Sequence, residues 1–414
     1  MKSFAKSASA AVDSRQPRLP DRPGTTPGAL PRYVAAATLA RTADGGAVVA
    51  IVLLASAGGA PGWLAGLLGA AITAPHLTGP FIARVLDTAK DGRTVIAWAC
   101  LFHGATLAAA VLAYPYVWTG VTVVLLLVSG LVGPLLTGGI SSRLPAIAGP
   151  DRSSQRRAQG WDVATYGIGG TIGPSLVAAI SAWSSPTVAA LVLAAGTFAA
   201  AGLIRLLPYA GPPAEAGEVP HPAQTLGLML TTGPLRRTLY LTVTVAFSVA
   251  ALPITAVGAT GYLGVPPAAA GILTAAYGLG GMAGSGVLMI KPLPGDADRS
   301  MTALAAIVAA ALGLVALTGV FWAAVGAYAV AGAANSLFFA ATLAARSEYA
   351  PATARGQVFV WVGALKIAAG SAGTAFAGAT IAAALHAPLV MAVTATLVSC
   401  GASFLDRLRG RRTA

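Results

Sequence analysis

Twelve runs of mainly apolar residues follow one another along the chain, at about 32–57, 62–83, 94–113, 117–140, 159–182, 187–207, 237–259, 267–290, 300–318, 320–343, 357–383 and 387–405. A helix rises about 1.5 Å per residue, so about 20 residues match the ~30 Å hydrocarbon core of a bilayer. Within lipid every backbone polar group must be satisfied inside the protein, which leaves helices or closed barrels. The pattern predicts an all-α membrane protein with 12 transmembrane helices. Composition agrees, since only 9% of the 414 residues are charged, where a soluble domain carries about 25%.

The basic residues orient these spans. The net charge of +13 would point to nucleic acid in a soluble protein, but in a membrane protein its placement matters more than its sum. Of 26 Lys and Arg, only Arg41 and Lys366 fall well inside spans, and 26 − 2 = 24 lie in or beside the alternate connections 1–31, 84–93, 141–158, 208–236, 291–299, 344–356 and the C-terminal tail. The intervening turns hold none. This is the positive-inside asymmetry, and it predicts cytoplasmic N- and C-termini. It also supports an even span count, because one missed helix would reverse every later connection.

No HExxH, Walker loop, GxSxG or paired-carboxylate arrangement occurs, so no hydrolytic chemistry is indicated. Two cysteines and four scattered histidines supply neither a disulfide framework nor a metal-ligand cluster. No metal or cofactor is expected. Residues 1–31 contain Lys2, Lys6, Arg15, Arg18 and Arg22 among Pro and Ser, without the apolar core and cleavage site of a signal peptide. They read as a disordered cytoplasmic tail.

The Pro- and Gly-rich connection 208–236 divides the spans six and six, and the halves echo each other. "PDRSSQRRAQGWDVATYGIGGTIGPSLVAAI" (150–180) opens the fifth span and "PATARGQVFVWVGALKIAAGSAGTAFAGATI" (351–381) the eleventh. Each has Pro, a basic turn, Gln159 or Gln357, then Trp161 or Trp361 in a Gly-rich helix. Repeats of this kind mark secondary transporters, whose substrate site lies between the repeats near the midplane. The organisation expected is a six-helix bundle (32–207), the linker (208–236), a second, pseudo-symmetric six-helix bundle (237–405) and a tail (406–414).

At these residues the sequence resembles the major facilitator superfamily, over about residues 32 to 405. The connection between the second and third spans, "ARVLDTAKDGR", is similar to the superfamily's inner-gate motif through Ala83, Arg84, Asp87, Asp91, Gly92 and Arg93. It departs in having Ala for the leading Gly and two extra residues after Asp87. "GGTIGP" in the fifth span resembles the glycine-proline motif of the proton-coupled antiporters through Gly169, Gly173 and Pro174, although Ser175, Leu176 and Val177 follow in place of a Gly pair. The same small-xxx-small spacing serves close helix packing. "RTADG" (41–45) is similar to bacterial exporters of drugs, siderophores and secondary metabolites.

The charges within spans are the candidate machinery, since each costs about 2.5–3.5 kcal/mol on insertion scales. Arg41 and Asp44 share a helix face, and the resemblance turns the first span toward the central cavity. They are read as a proton-coupling pair, with a fixed structural ion pair as the alternative. Lys366, Asn335 and Tyr166 are candidates for the substrate cavity, Lys366 either for an anionic substrate or for a carboxylate on another helix. His103 reads as packing, and Asp162 as a partner for loop arginines. The resemblance implies that Asp87 meets the inner end of the eleventh helix near Gly356, latching the inner gate. The function expected is proton-coupled export of small amphiphilic molecules from a bacterium across its plasma membrane. Proton-coupled import on the same fold and a non-transporting receptor are the alternatives. The partners expected are a small-molecule substrate, protons and the bilayer, with no nucleic acid, and the chain is expected to be a monomer.

Overall fold

The computed structural model describes residues 28–211, 216–381 and 383–412. Most of the expected N-terminal tail and part of the linker lie outside the described residues. Among the described residues, eleven helices are long and apolar enough to cross a membrane: Ala29–Ala57, Gly92–Ala113, Thr119–Gly139, Arg152–Trp183, Pro186–Arg205, Gly233–Ala259, Pro267–Ile290, Ala297–Leu317, Phe321–Tyr349, Ala352–Ile381 and Ala387–Arg409. They are the first span and the third to twelfth.

The second span, expected as one helix over 62–83, is broken. It runs as Gly62–Thr73, a 3₁₀ turn Ala74–Thr78 and a helix Gly79–Thr88. Pro75 and Pro80 cause this, because each lacks an N–H and its ring clashes with the carbonyl four residues earlier. The fifth span starts earlier than expected, at Arg152, where Asp151 caps it by accepting from the Ser154 N–H at 2.8 Å. It and the tenth span, which ends at Tyr349, thereby project past the apolar layer at the basic end.

Apolar cores form separately in the two halves. One side has clusters around Tyr33, Ala40, Leu136 and Ile204 and around Ile51, Leu68, Leu107 and Leu126. The other side has a cluster around Leu241, Leu273, Val308, Leu312 and Tyr328. A smaller group, Val163, Leu288, Phe339, Leu343 and Phe359, joins the halves. Outside these cores, Trp63, Phe81, Trp98, Trp118, Trp183, Trp322 and Leu317 are exposed. Such a surface suits lipid, and aromatic residues near the helix ends suit its interfaces.

The repeat is visible in backbone packing. A Cβ on Gly173 would lie 2.6 Å from the Thr42 carbonyl oxygen, and one on Gly169 would lie 2.8 Å from the Arg41 backbone. Gly45 and Gly46 of the first span return the contact, so the first and fifth helices touch backbone to backbone. In the second half Gly373 of the eleventh span meets the Phe247 carbonyl of the seventh in the same way.

Candidate functional site

The basic end of the molecule is closed by polar ties between the halves. Asp87 ends the broken second span and points across at the start of the eleventh. Its two carboxylate oxygens accept the backbone N–H groups of Gly356 (2.9 Å) and Gln357 (2.8 Å). Free N–H groups and a partial positive charge at a helix N-terminus favour an anion there. Residue 356 must be Gly, since a side chain would collide with that carboxylate. Ala83 is fully buried one turn before Asp87.

The rest of the motif binds within the first half and to the linker. Asp91 caps the third span, accepts a forked contact from Arg93 and a 3.1 Å contact from Arg205. The hydrogen bond from the Arg93 side chain holds the Asp91 carboxyl down to about 2. Arg93 also donates to the Leu207 carbonyl at 2.7 Å, and Arg84 to the Val219 carbonyl in the linker at 3.4 Å. Gly92 is buried against the Arg143 side chain.

A second tie was not singled out in the sequence. Glu348, at the projecting end of the tenth span, takes Arg156 at 2.7 Å and Arg152 at 3.3 Å from the fifth. The linker helix Pro222–Thr231 covers the same region, where Trp361 donates to the Pro222 carbonyl and Gln357 to that of Pro220, each at 3.0 Å. The three glutamates of the chain were the available signal, because Glu348 alone follows a span directly.

Arg41 and Asp44 form no ion pair with each other. Arg41 turns to Asp162 on the fifth span at 2.7 Å. It also donates to Thr165, to the Thr137 carbonyl and to Ser141, and its guanidinium lies 3.6 Å from the Tyr166 ring centroid. Asp162 in turn accepts from Tyr33 at 2.6 Å and Ser141 at 2.8 Å. Asp162 is therefore buried in the helix packing and not among loop arginines. A carboxylate presented by the helix touching the first span backbone to backbone is a better partner than one on Arg41's own helix.

Asp44 faces the break in the second span, 3.4 Å from His76 Nε2, with its side chain 19% exposed and that of His76 5%. Gly133 of the fourth span packs over both. His103 is buried behind them, against Ser129. His76 was not weighed in the sequence, where it is a lone histidine in an apolar run.

Between the halves lies a cavity of about 560 Å³. It extends from Pro253 and Gly271, near the end opposite the basic loops, to Tyr166, Phe339 and Lys366. Asn335, Tyr277, Ser285 and Ser336 supply polar groups, and Gly170, Gly278 and Gly281 leave room. Lys366, Asn335 and Tyr166 are thus brought to one space. Gly169, Gly173 and Pro174 are not among the lining residues, and the two glycines serve the contact with the first span.

No family profile and no curated protein matches the chain. Solved structures do. The human organic anion transporter TETRAN matches with a TM-score of 0.72 at 15% identity, over 90% of this chain and 99% of that one. An outward-facing bacterial homologue of the iron transporter ferroportin gives 0.71 at 12% identity, over 91% and 99%. The E. coli fucose:proton symporter FucP gives 0.68 at 15% identity, over 91% and 98%. The chain has the fold of the major facilitator superfamily transporters and is a multi-pass membrane protein.

Proposed function

We propose that the chain is a monomeric secondary transporter of a bacterial plasma membrane, exporting small amphiphilic molecules in exchange for protons. The observation that carries this reading is the cavity between two helix bundles, shut at the basic end where Asp87 caps the eleventh helix. Rocking the halves breaks the Asp87 contacts and the Glu348 pairs, and opens the cavity to the cytoplasmic side.

Asp44 is the proton carrier in this scheme. Its carboxylate is partly exposed and faces His76, which sits in the broken part of the second span. Protonating Asp44 removes the charge that holds His76. The same span carries Asp87 about two turns beyond Pro80, so releasing its middle loosens the latch at its end. Arg41 acts through Asp162 and Tyr166, holding the first and fifth spans as one body while the second shifts.

The test is flux in proteoliposomes. Adding a transported compound to vesicles under an imposed pH gradient should drive proton movement in the opposite direction. Asp44→Asn should abolish that movement while leaving substrate counterflow. Undiminished substrate-driven proton flux in Asp44→Asn refutes the assignment. Proton and substrate moving the same way replaces antiport with symport on the same geometry.

A further inference from the structure

Lys366 is the one basic side chain among the residues lining the cavity, and no aspartate or glutamate is among them. Its Nζ lies 3.8 Å from the Phe339 ring centroid and 5.7 Å from that of Tyr166, and it forms no ion pair or hydrogen bond with a described residue. Behind the same ring is Arg346, 2% exposed, with its guanidinium 5.8 Å from Phe339 and 5.6 Å from Phe359. Arg346 donates to the Thr342 hydroxyl at 3.1 Å, has no carboxylate partner among the described residues, and keeps a buried Nε without an acceptor there.

Asp162 does not answer these cations. Arg41, Tyr33 and Ser141 already donate to it. Three basic groups, Arg41, Arg346 and Lys366, therefore converge on the Tyr166–Phe339 pair with one carboxylate among them, so basic groups outnumber acidic ones by 3 − 1 = 2. Aromatic faces offset part of the cost of a desolvated cation. They do not neutralise it, and buried charges are ordinarily paired.

We infer that the floor of the cavity binds an organic carboxylate. Its acid group pairs with Lys366 in the field of Arg346, and its apolar body lies along Phe339, Tyr166 and the glycine-lined eighth span. The volume of about 560 Å³ is that of a small-molecule site. Organic cations are repelled by the same field. This rests on the transporter reading and narrows its amphiphile to an anion.

The experiment is calorimetric binding to the purified full chain in nanodiscs, with two matched sets. One is octanoate, octanamide and octylammonium. The other is 2-naphthoate, 2-naphthamide and 2-naphthylmethylammonium. In at least one set the acid should bind about tenfold or more tighter than its amide, the ratio expected of a charge-assisted hydrogen bond in a desolvated site. The ammonium should bind weakest. Lys366→Gln should erase the acid's advantage, and Lys366→Arg should keep most of it. The inference is overturned if neither acid outbinds its amide, or if the advantage survives in Lys366→Gln. Flux of the same probes separates the two readings. Acids that bind but never cross a proteoliposome leave the anion site standing and remove the transporter. Amides or ammonium ions that cross as fast as acids do the reverse.

Discussion

Asp87→Asn should open the basic end. In the closed structure the Asp87 carboxylate is 1% exposed and accepts two backbone N–H groups, at 2.9 and 2.8 Å. Hydrogen bonds to a charged group contribute about 1.5–3 kcal/mol each, and an anion at a helix N-terminus gains about 0.3–1 kcal/mol or more when partly buried. Asparagine keeps one acceptor. Its amide nitrogen then faces the second N–H, donor against donor. The variant loses one charged bond and the interaction with the helix end, and it recovers part of the desolvation cost of the carboxylate. The net is about 2 kcal/mol against the closed state, roughly a 30-fold change in the ratio of closed to open.

The assay is pulsed electron spin resonance between labels at Arg157→Cys and Lys291→Cys, with Cys100 and Cys400 replaced by alanine. Both label sites are exposed, at the basic end of opposite halves. The parent should give one short distance, and Asp87→Asn a second, longer one of substantial weight. An unchanged distance distribution in a folded variant refutes the argument that this carboxylate holds the gate.

Gly173→Val should abolish folded protein in size-exclusion chromatography, because even its Cβ would sit 2.6 Å from the Thr42 carbonyl oxygen. Gly170→Val should be tolerated, since a Cβ there meets nothing within 4 Å. Arg41→Gln leaves Asp162 charged and unpaired, at a cost of about 3–5 kcal/mol. The double variant Arg41→Gln with Asp162→Asn should recover part of the lost melting temperature. The Asp91 carboxyl titrates near 2, below its unfolded value of about 3.9. Its contribution is therefore complete above about pH 4 and lost as the pH falls toward 2. Asp91→Asn should flatten the melting temperature over that window.

The spans were legible because hydropathy is local, and the asymmetry of the basic residues sets their expected orientation. The break in the second span was less so, although Pro75 and Pro80 stand in plain sight. Membrane helices accept proline whenever a neighbour satisfies the freed carbonyls, so proline alone does not announce a break. The spacing of Arg41 and Asp44 suggested a pair. Partner choice was decided elsewhere, by a glycine contact that brings Asp162 of the fifth span alongside. The charge of Lys366 within a span and the resemblance for Asn335 point to a cavity, and both line one space with Tyr166. Arg346 and Glu348 looked like loop charges, because their span runs six residues past its expected end at 343, to Tyr349.

That extra length and that break concern the same problem. A gate between two bundles must hold firmly and still release, so its anchors cannot belong to one rigid body. The tenth and fifth spans project beyond the apolar layer, which puts Glu348 within reach of the exposed Arg152, where water can replace it, and of the buried Arg156. The exposed Arg152–Glu348 pair contributes little, about 0–1 kcal/mol. The buried Asp87 contact is the stronger tie, and it stands on a helical segment that Pro75 and Pro80 have uncoupled from the span above. His76 lies in that uncoupled turn, facing Asp44. In the proposed scheme a change of charge at Asp44 meets the broken part of the second span, and the Asp87 tie across the gate lies at the far end of that span.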